Sequence, residues 1–101
     1  MTAYNVVRFR LKPGGEQEFM DAHRNARTNW PGARRFTVVK ASESRMFVIG
    51  EWDSLESLRA AEPLMVGVLN TFRHTLDDLG GGLGVTDPIS GTAVLDKVPK
   101  A

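Results

Sequence analysis

An α+β fold is predicted for this chain by three features of its sequence. The first is the run Arg45-Met-Phe-Val-Ile-Gly-Glu-Trp52, of strand length and apolar on both of its alternating sides. The second is the stripe Met65, Val68, Leu69, Phe72, Leu76 and Leu79, which follows helical spacing. The third is the order of segments: strand, helix, two strands, a broken helical stretch, strand. That order gives a ferredoxin-like domain, a four-stranded antiparallel sheet with helices on one face.

Tyr4 to Leu11 reads as the first strand, with Val6, Val7, Phe9 and Leu11 suited to a pleated, partly buried surface. Lys12-Pro-Gly-Gly15 breaks it. Glu16 to Asn29 reads as the first helix, acidic at its start and basic toward its end, which suits the helix dipole. Pro31-Gly32 closes this element. Arg35 to Ala41 is the second strand, and the short polar link Ser42-Glu-Ser44 joins it to the third as a hairpin. After Trp52, Asp53 reads as an N-cap and Glu56 as its capping-box partner, starting a short helix from Ser54 to about Ala61. Leu64 to Leu79 is the second long helix, entered at Pro63 and ended by Gly80-Gly-Gly-Leu-Gly84. Asp87-Pro-Ile-Ser-Gly91 reads as a turn, and Thr92 to Val98 as the last strand.

The length of 101 residues suits a single domain spanning 1–101. A net charge of +1 gives no general attraction to nucleic acid or anionic lipid. With no cysteine there are no disulfides and no thiolate metal sites, and a reducing compartment is suited. The first ten residues carry Arg8 and Arg10 where a signal peptide needs an apolar stretch. No run approaches the ~18 apolar residues of a membrane span. The expectation is a cytoplasmic domain that binds neither nucleic acid nor membrane.

Helices on one face leave the other bare. Tyr4 and Val6 point away from Val7, Phe9 and Leu11, and Phe47 and Ile49 point away from Met46 and Val48. Apolar groups on both sides of the sheet call for a second cover, and a homodimer with paired sheets supplies it.

The segments Val7-Arg-Phe-Arg-Leu-Lys-Pro-Gly14 leading into Glu16-Gln-Glu-Phe19, and Phe47-Val-Ile-Gly-Glu-Trp52-Asp-Ser-Leu-Glu-Ser-Leu58, carry a resemblance. With the helix that follows, they resemble the antibiotic biosynthesis monooxygenase family of the dimeric α+β barrel superfamily. The resemblance implies a dimeric α/β barrel with one small-molecule pocket per subunit, between sheet and helices. It also implies oxygenation of an aromatic or quinol-type substrate with no cofactor and no metal. Relatives that degrade haem carry an Asn in the first strand, a Trp in the short helix and a His in the last helix. Here Val7 occupies the best-matching strand position, with Asn5 one pleat earlier, and the short helix has no Trp. Many members place a His near the end of that helix, where this chain has Ala60-Ala61. Haem degradation is disfavoured, as is a site built on that His.

Five residues stand out as site candidates. Asn5 shares a face with Val7, Phe9 and Leu11 and is placed to hold a substrate oxygen at a pocket edge. His23 lies beside the Phe19, Ala22, Ala26 stripe, and an inward imidazole there is a general-base candidate. Trp52 at the end of its strand is either an aromatic wall for a ligand or part of core or dimer packing. Phe72 lies on the apolar stripe as a ligand contact. Arg73, at the border of the stripe, reaches a pocket mouth or snorkels at the surface. His74 lies opposite the stripe and reads as solvent-facing. Two histidines on separate helices, with no carboxylate at metal spacing, give no metal signature. The glycine run opens no helix and so lacks the context of a phosphate cradle.

The reading is a cofactor-free monooxygenase with His23 as base. The alternatives are a non-enzymatic small-molecule-binding or interaction domain, and an isomerase or cyclase of the same superfamily.

Overall fold

Alternation along the first strand sets the architecture. In the computed structural model, which describes residues 1–100, β1 (Ala3–Leu11) buries Ala3, Asn5, Phe9 and Leu11 toward the helices. β3 (Arg45–Trp52) runs antiparallel to it and buries Met46, Val48, Gly50 and Trp52 on the same side. Val7 pairs with Val48, and Asn5 with Gly50. β2 (Ala33–Lys40) pairs with β3 through the expected hairpin, with an irregularity between Ala33 and Arg35. The other edge of β1 is shared. β4 (Leu76–Asp77) pairs with Arg10 and Leu11, and β5 (Asp87–Thr92) with Ala3 to Arg8. The sheet is therefore four positions wide, in the order β2, β3, β1, then β4 and β5 together.

Three helices cover one face: α1 (Glu16–Asn25), α2 (Leu55–Ala60) and α3 (Glu62–Phe72). The apolar core falls into two parts. At one end the rings of Phe9, Phe19 and Phe72 meet edge to face, with centroids 5.1 to 5.6 Å apart, over Leu11, Met46 and Leu76. At the other, Trp52, Leu58, Ala61 and Ala3 pack with Trp30 and Phe36. Trp30 stacks on Trp52 at 6.2 Å, and Phe36 meets both edge-on.

Several boundaries differ from expectation. α1 stops at Asn25 rather than Asn29. Ala26 is already extended, at φ −65° and ψ 135°. Thr28 and Asn29 are weak helix formers, and an extended run delivers Trp30 to Trp52 and Phe36. The cap of α2 is Ser54, whose Oγ accepts from the Ser57 N–H at 3.1 Å. Asp53 is held instead by its own N–H, donated to the Gly32 carbonyl at 2.8 Å.

The largest departure follows Phe72. α3 tightens there into a 3₁₀ turn, Arg73–Thr75, and Leu76 enters the sheet opposite Leu11. Leu76 is buried, as its periodic position implied, but as a strand residue. Buried Thr75 donates its hydroxyl to the Phe72 carbonyl at 2.6 Å, while its own carbonyl accepts from the Lys12 N–H at 2.8 Å. Those bonds satisfy groups that a continuing helix would have used internally. The last strand comes early: Asp87 to Gly91, expected as a turn, pairs with β1, and only Thr92 of the expected Thr92–Val98 strand is in the ladder. Pro88 is tolerated because this is an edge strand. Arg8 fastens its start through a salt bridge to Asp87 at 2.9 Å.

The helix-free face carries Tyr4, Val6, Phe47, Ile49 and Val39, all half-buried within one chain, and exposed Ile89 beside Val6. No helix among the described residues is long and apolar enough to cross a membrane.

Candidate functional site

Between the two parts of the core lies a cavity of about 560 Å³. That is within the range of roughly 300–1,000 Å³ usual for small-molecule sites. The sheet supplies Asn5, Val7, Phe9, Phe36, Val38 and Val48. Helices α1 and α3 supply Met20, His23, Met65, Val68, Leu69 and Phe72. Trp30 borders it, and Thr86, Pro88 and Ser90 form a rim along β5. The charged lining residues are Arg24 and Glu62.

Asn5 is almost fully buried, and its amide is held at both ends. Trp52 donates its indole N–H to Oδ1 at 2.7 Å. Nδ2 lies 3.8 Å from the Met65 sulfur, a weak acceptor. Gly50 makes this possible, because a Cβ there would stand 2.3 Å from Asn5 Oδ1 and 2.9 Å from Trp52 Nε1. Neighbouring register places Asn5 on one side of Gly50 and Phe36 on the other. The missing side chain is thus the space in which the amide and the indole meet.

His23 packs between the Phe19 and Phe72 rings, at centroid distances of 4.4 and 4.5 Å. Its Nδ1 lies 2.8 Å from the Phe19 carbonyl oxygen. A carbonyl only accepts, so Nδ1 carries the proton and the neutral ring keeps an unprotonated Nε2. Burial pushes the imidazole pKa below its ordinary value, against a smaller opposing pull from the Phe19 carbonyl. The ring is therefore neutral near pH 7 and suited to accept a proton in a mostly apolar cavity.

Three of the five expected residues, Asn5, His23 and Phe72, line the same cavity. The other two take the second of their alternatives. Trp52 is fully buried behind Asn5 and is absent from the cavity surface, so it contacts the amide rather than forming a wall. Trp30, delivered by the extended 26–30 run, borders the cavity instead. Arg73 is exposed in the 3₁₀ turn and donates to Asn70 Oδ1 at 3.1 Å, away from the lining. His74 is exposed, as expected, and pairs with Glu18 of α1. Gly50 and the β5 rim escaped the reading of the sequence. A lone glycine inside an apolar strand is the signal for the first. The second was hidden by the turn-like composition of Asp87 to Gly91. Among the described residues no cluster of three or more His, Asp or Glu side chains is arranged to hold a metal ion.

A family model described as antibiotic biosynthesis monooxygenase matches residues 2–62, more than half of the chain. No protein with a curated description matches in sequence. Among solved structures, a conserved protein from Methanosarcina mazei Go1 is similar at 16% identity and a TM-score of 0.73, covering 91% of this chain and 92% of that one. A dimeric ferredoxin-like protein from an uncultured marine organism aligns at 10% identity and a TM-score of 0.72, over 98% and 93% of the two chains. SnoaB, a cofactor-independent oxygenase from Streptomyces nogalater, aligns at 17% identity and a TM-score of 0.64, over 98% of both. At these identities the structural likeness is one of fold.

Proposed function

The chain belongs to the antibiotic biosynthesis monooxygenase family, and from that membership we propose that it is a cofactor-free monooxygenase acting on a small aromatic or quinol-type compound. The observation that carries the reading is the convergence of a neutral, half-buried His23 and the Asn5 amide on one otherwise largely apolar cavity. SnoaB, of the same fold, is described as a cofactor-independent oxygenase.

In this reading His23 Nε2 takes a proton from the substrate's phenolic hydroxyl or activated ring carbon. Asn5 holds an oxygen of the resulting anion, and Phe72 and Phe9 pack against the ring. The electron-rich anion gives one electron to dioxygen, and the radical pair recombines as a carbon-bound peroxide anion, which takes the proton back from His23 to become a hydroperoxide. Loss of water leaves a carbonyl, so one oxygen atom enters product and the other leaves as water. The apolar lining keeps the pair from escaping into solvent. Cytoplasmic residence suits a cysteine-free chain. We also propose a homodimer joined through the helix-free face, centred on Val6, Phe47 and Ile49.

Oxygen uptake with a panel of hydroquinones and hydroxynaphthalenes tests the reading. Uptake that is lost in His23→Ala and kept in His74→Ala supports it. Ligand binding with no uptake across the panel would replace it with a small-molecule-binding domain. Turnover without oxygen would point to an isomerase or cyclase.

A further inference from the structure

The bond between Trp52 and Asn5 has a direction, and that direction decides what the cavity can recognise. An amide presents an acceptor at one end and a donor at the other, and the two ends are nearly the same shape. An indole N–H only donates. With Trp52 Nε1 at 2.7 Å, the atom facing it must be Oδ1, and Nδ2 must face the other way. There it meets only the Met65 thioether at 3.8 Å, a poor exchange for a buried amide N–H. Asn5 also lines the cavity. Nδ2 carries two hydrogens and Met65 engages one of them weakly, so a second donor is left for the cavity.

We infer that Trp52, without touching the ligand, makes Asn5 a donor-only contact, so that the cavity selects a carbonyl or oxyanion oxygen at that point. Trp52 is a positioning residue, and Gly50 provides the room for it. The inference rests on the proposal that this cavity is the ligand site. It extends that proposal by assigning the hydrogen-bonding sense of one end of the ligand. At His23 the sense is opposite: Nδ1 is bound to the Phe19 carbonyl, and Nε2 is left as an acceptor. A compound with a hydroxyl at one end and a carbonyl at the other matches both.

Three tricyclic probes of nearly one shape test this by calorimetry at pH 8: 9-fluorenone, which accepts at position 9; carbazole, which donates there; and fluorene, which does neither. The wild-type chain is expected to bind fluorenone roughly tenfold more tightly than carbazole, with fluorene between, as one neutral hydrogen bond made or denied implies. Asn5→Asp keeps an acceptor for Trp52 but presents a carboxylate oxygen to the cavity, and the preference is expected to reverse. Trp52→Phe frees the amide to turn, and the preference is expected to shrink to within about twofold. General loosening of the fold would weaken all three probes alike and leave their ratio unchanged. Should Trp52→Phe not fold, the Asn5→Asp ratio decides alone. A preference that survives either variant overturns the inference and leaves the cavity reading intact, as does equal wild-type binding of all three. Failure of every probe to bind the wild type overturns both.

Discussion

Trp52 and Asn5 lie on different strands, 47 positions apart, and the indole N–H of one is bonded to the amide oxygen of the other at 2.7 Å. The bond is buried and ties the end of β3 to the cavity wall on β1.

Removing one partner leaves the other without its bond in a buried place. Trp52→Phe is therefore expected to lower stability by about 1–3 kcal/mol from the polar group alone. Urea unfolding reads this as a shift in midpoint with little change in slope. Asn5→Leu in the Trp52→Phe background should cost less than in the wild type, because the bond can be lost only once. Strict additivity of the two substitutions would mean that the bond contributes nothing.

Two glycines are expected to respond in opposite directions to alanine. At Gly50 a Cβ would be 2.3 Å from Asn5 Oδ1 and 3.2 Å from Phe36 Cε1, so packed groups must shift. A cost of about 1–3 kcal/mol is expected, with weaker ligand binding as Asn5 moves. Gly67 is in the interior of α3, and its Cβ would meet nothing within 4 Å. Gly67→Ala should stabilise by up to about 1 kcal/mol, through helix propensity. Thermal melts of the two variants check both signs.

At the start of α2, Ser54→Ala should cost about 1 kcal/mol, because its hydroxyl is the cap. Glu56→Ala should cost little, since no capping-box bond involves it. Equal losses in the two melts would restore the capping box read from the sequence. The entry to this helix is also sterically closed by Gly32, which has φ +81° and whose Cβ would fall 2.5 Å from Ser57 Oγ and Asp53 Oδ1. Gly32→Ala combines left-handed strain with that clash and is expected to be the more damaging change.

These positions also show what the sequence disclosed. Alternation was enough to put Asn5, Val7 and Phe9 on one side of β1 and Tyr4 and Val6 on the other, because pleat and burial obey the same period. Helical periodicity placed His23 and Phe72 facing inward. It misled at Leu76, where a buried residue kept the helical spacing after the helix had ended. Burial alone does not distinguish a strand from a helix at a single position. The Asp87–Gly91 strand was concealed by Pro and Gly, since its pairing comes from the open edge of β1 rather than from local propensity. The Asn5–Trp52 bond was also out of reach, because strand register determines which ends meet.

The helix-free face yields a prediction about assembly. Val6 and Ile49 are cross-strand partners at its centre, with Phe47 and Val39 nearby. A twofold pair of sheets would bury them, and a charge at the centre would then have no partner. Ile49→Lys should shift sedimentation from the dimer expected of the wild type to a monomer, with retained helical and sheet signal. Wild-type sedimentation as a monomer at micromolar concentration would falsify the paired-sheet arrangement.

His23 links stability and activity through one proton. Burial lowers its pKa in the folded chain, so at mildly acid pH the unfolded chain binds a proton that the folded chain refuses. The stability contributed by the neutral ring is complete above the unfolded value, about 6.5. It is lost as pH falls from there through the folded value. Replacing His23 with Gln should flatten that part of the stability curve while keeping a donor for the Phe19 carbonyl. In the proposed oxygenase the same ring must be unprotonated to act. The acid limb of kcat/KM should therefore fall at a lower pH than a free imidazole would give, and residual turnover in His23→Gln should lose that limb. Arg24 and Glu62 also line the cavity, so Glu62→Gln is the control for a carboxylate origin of the limb. A limb that stays in place in His23→Gln and moves in Glu62→Gln would transfer the role of base to Glu62.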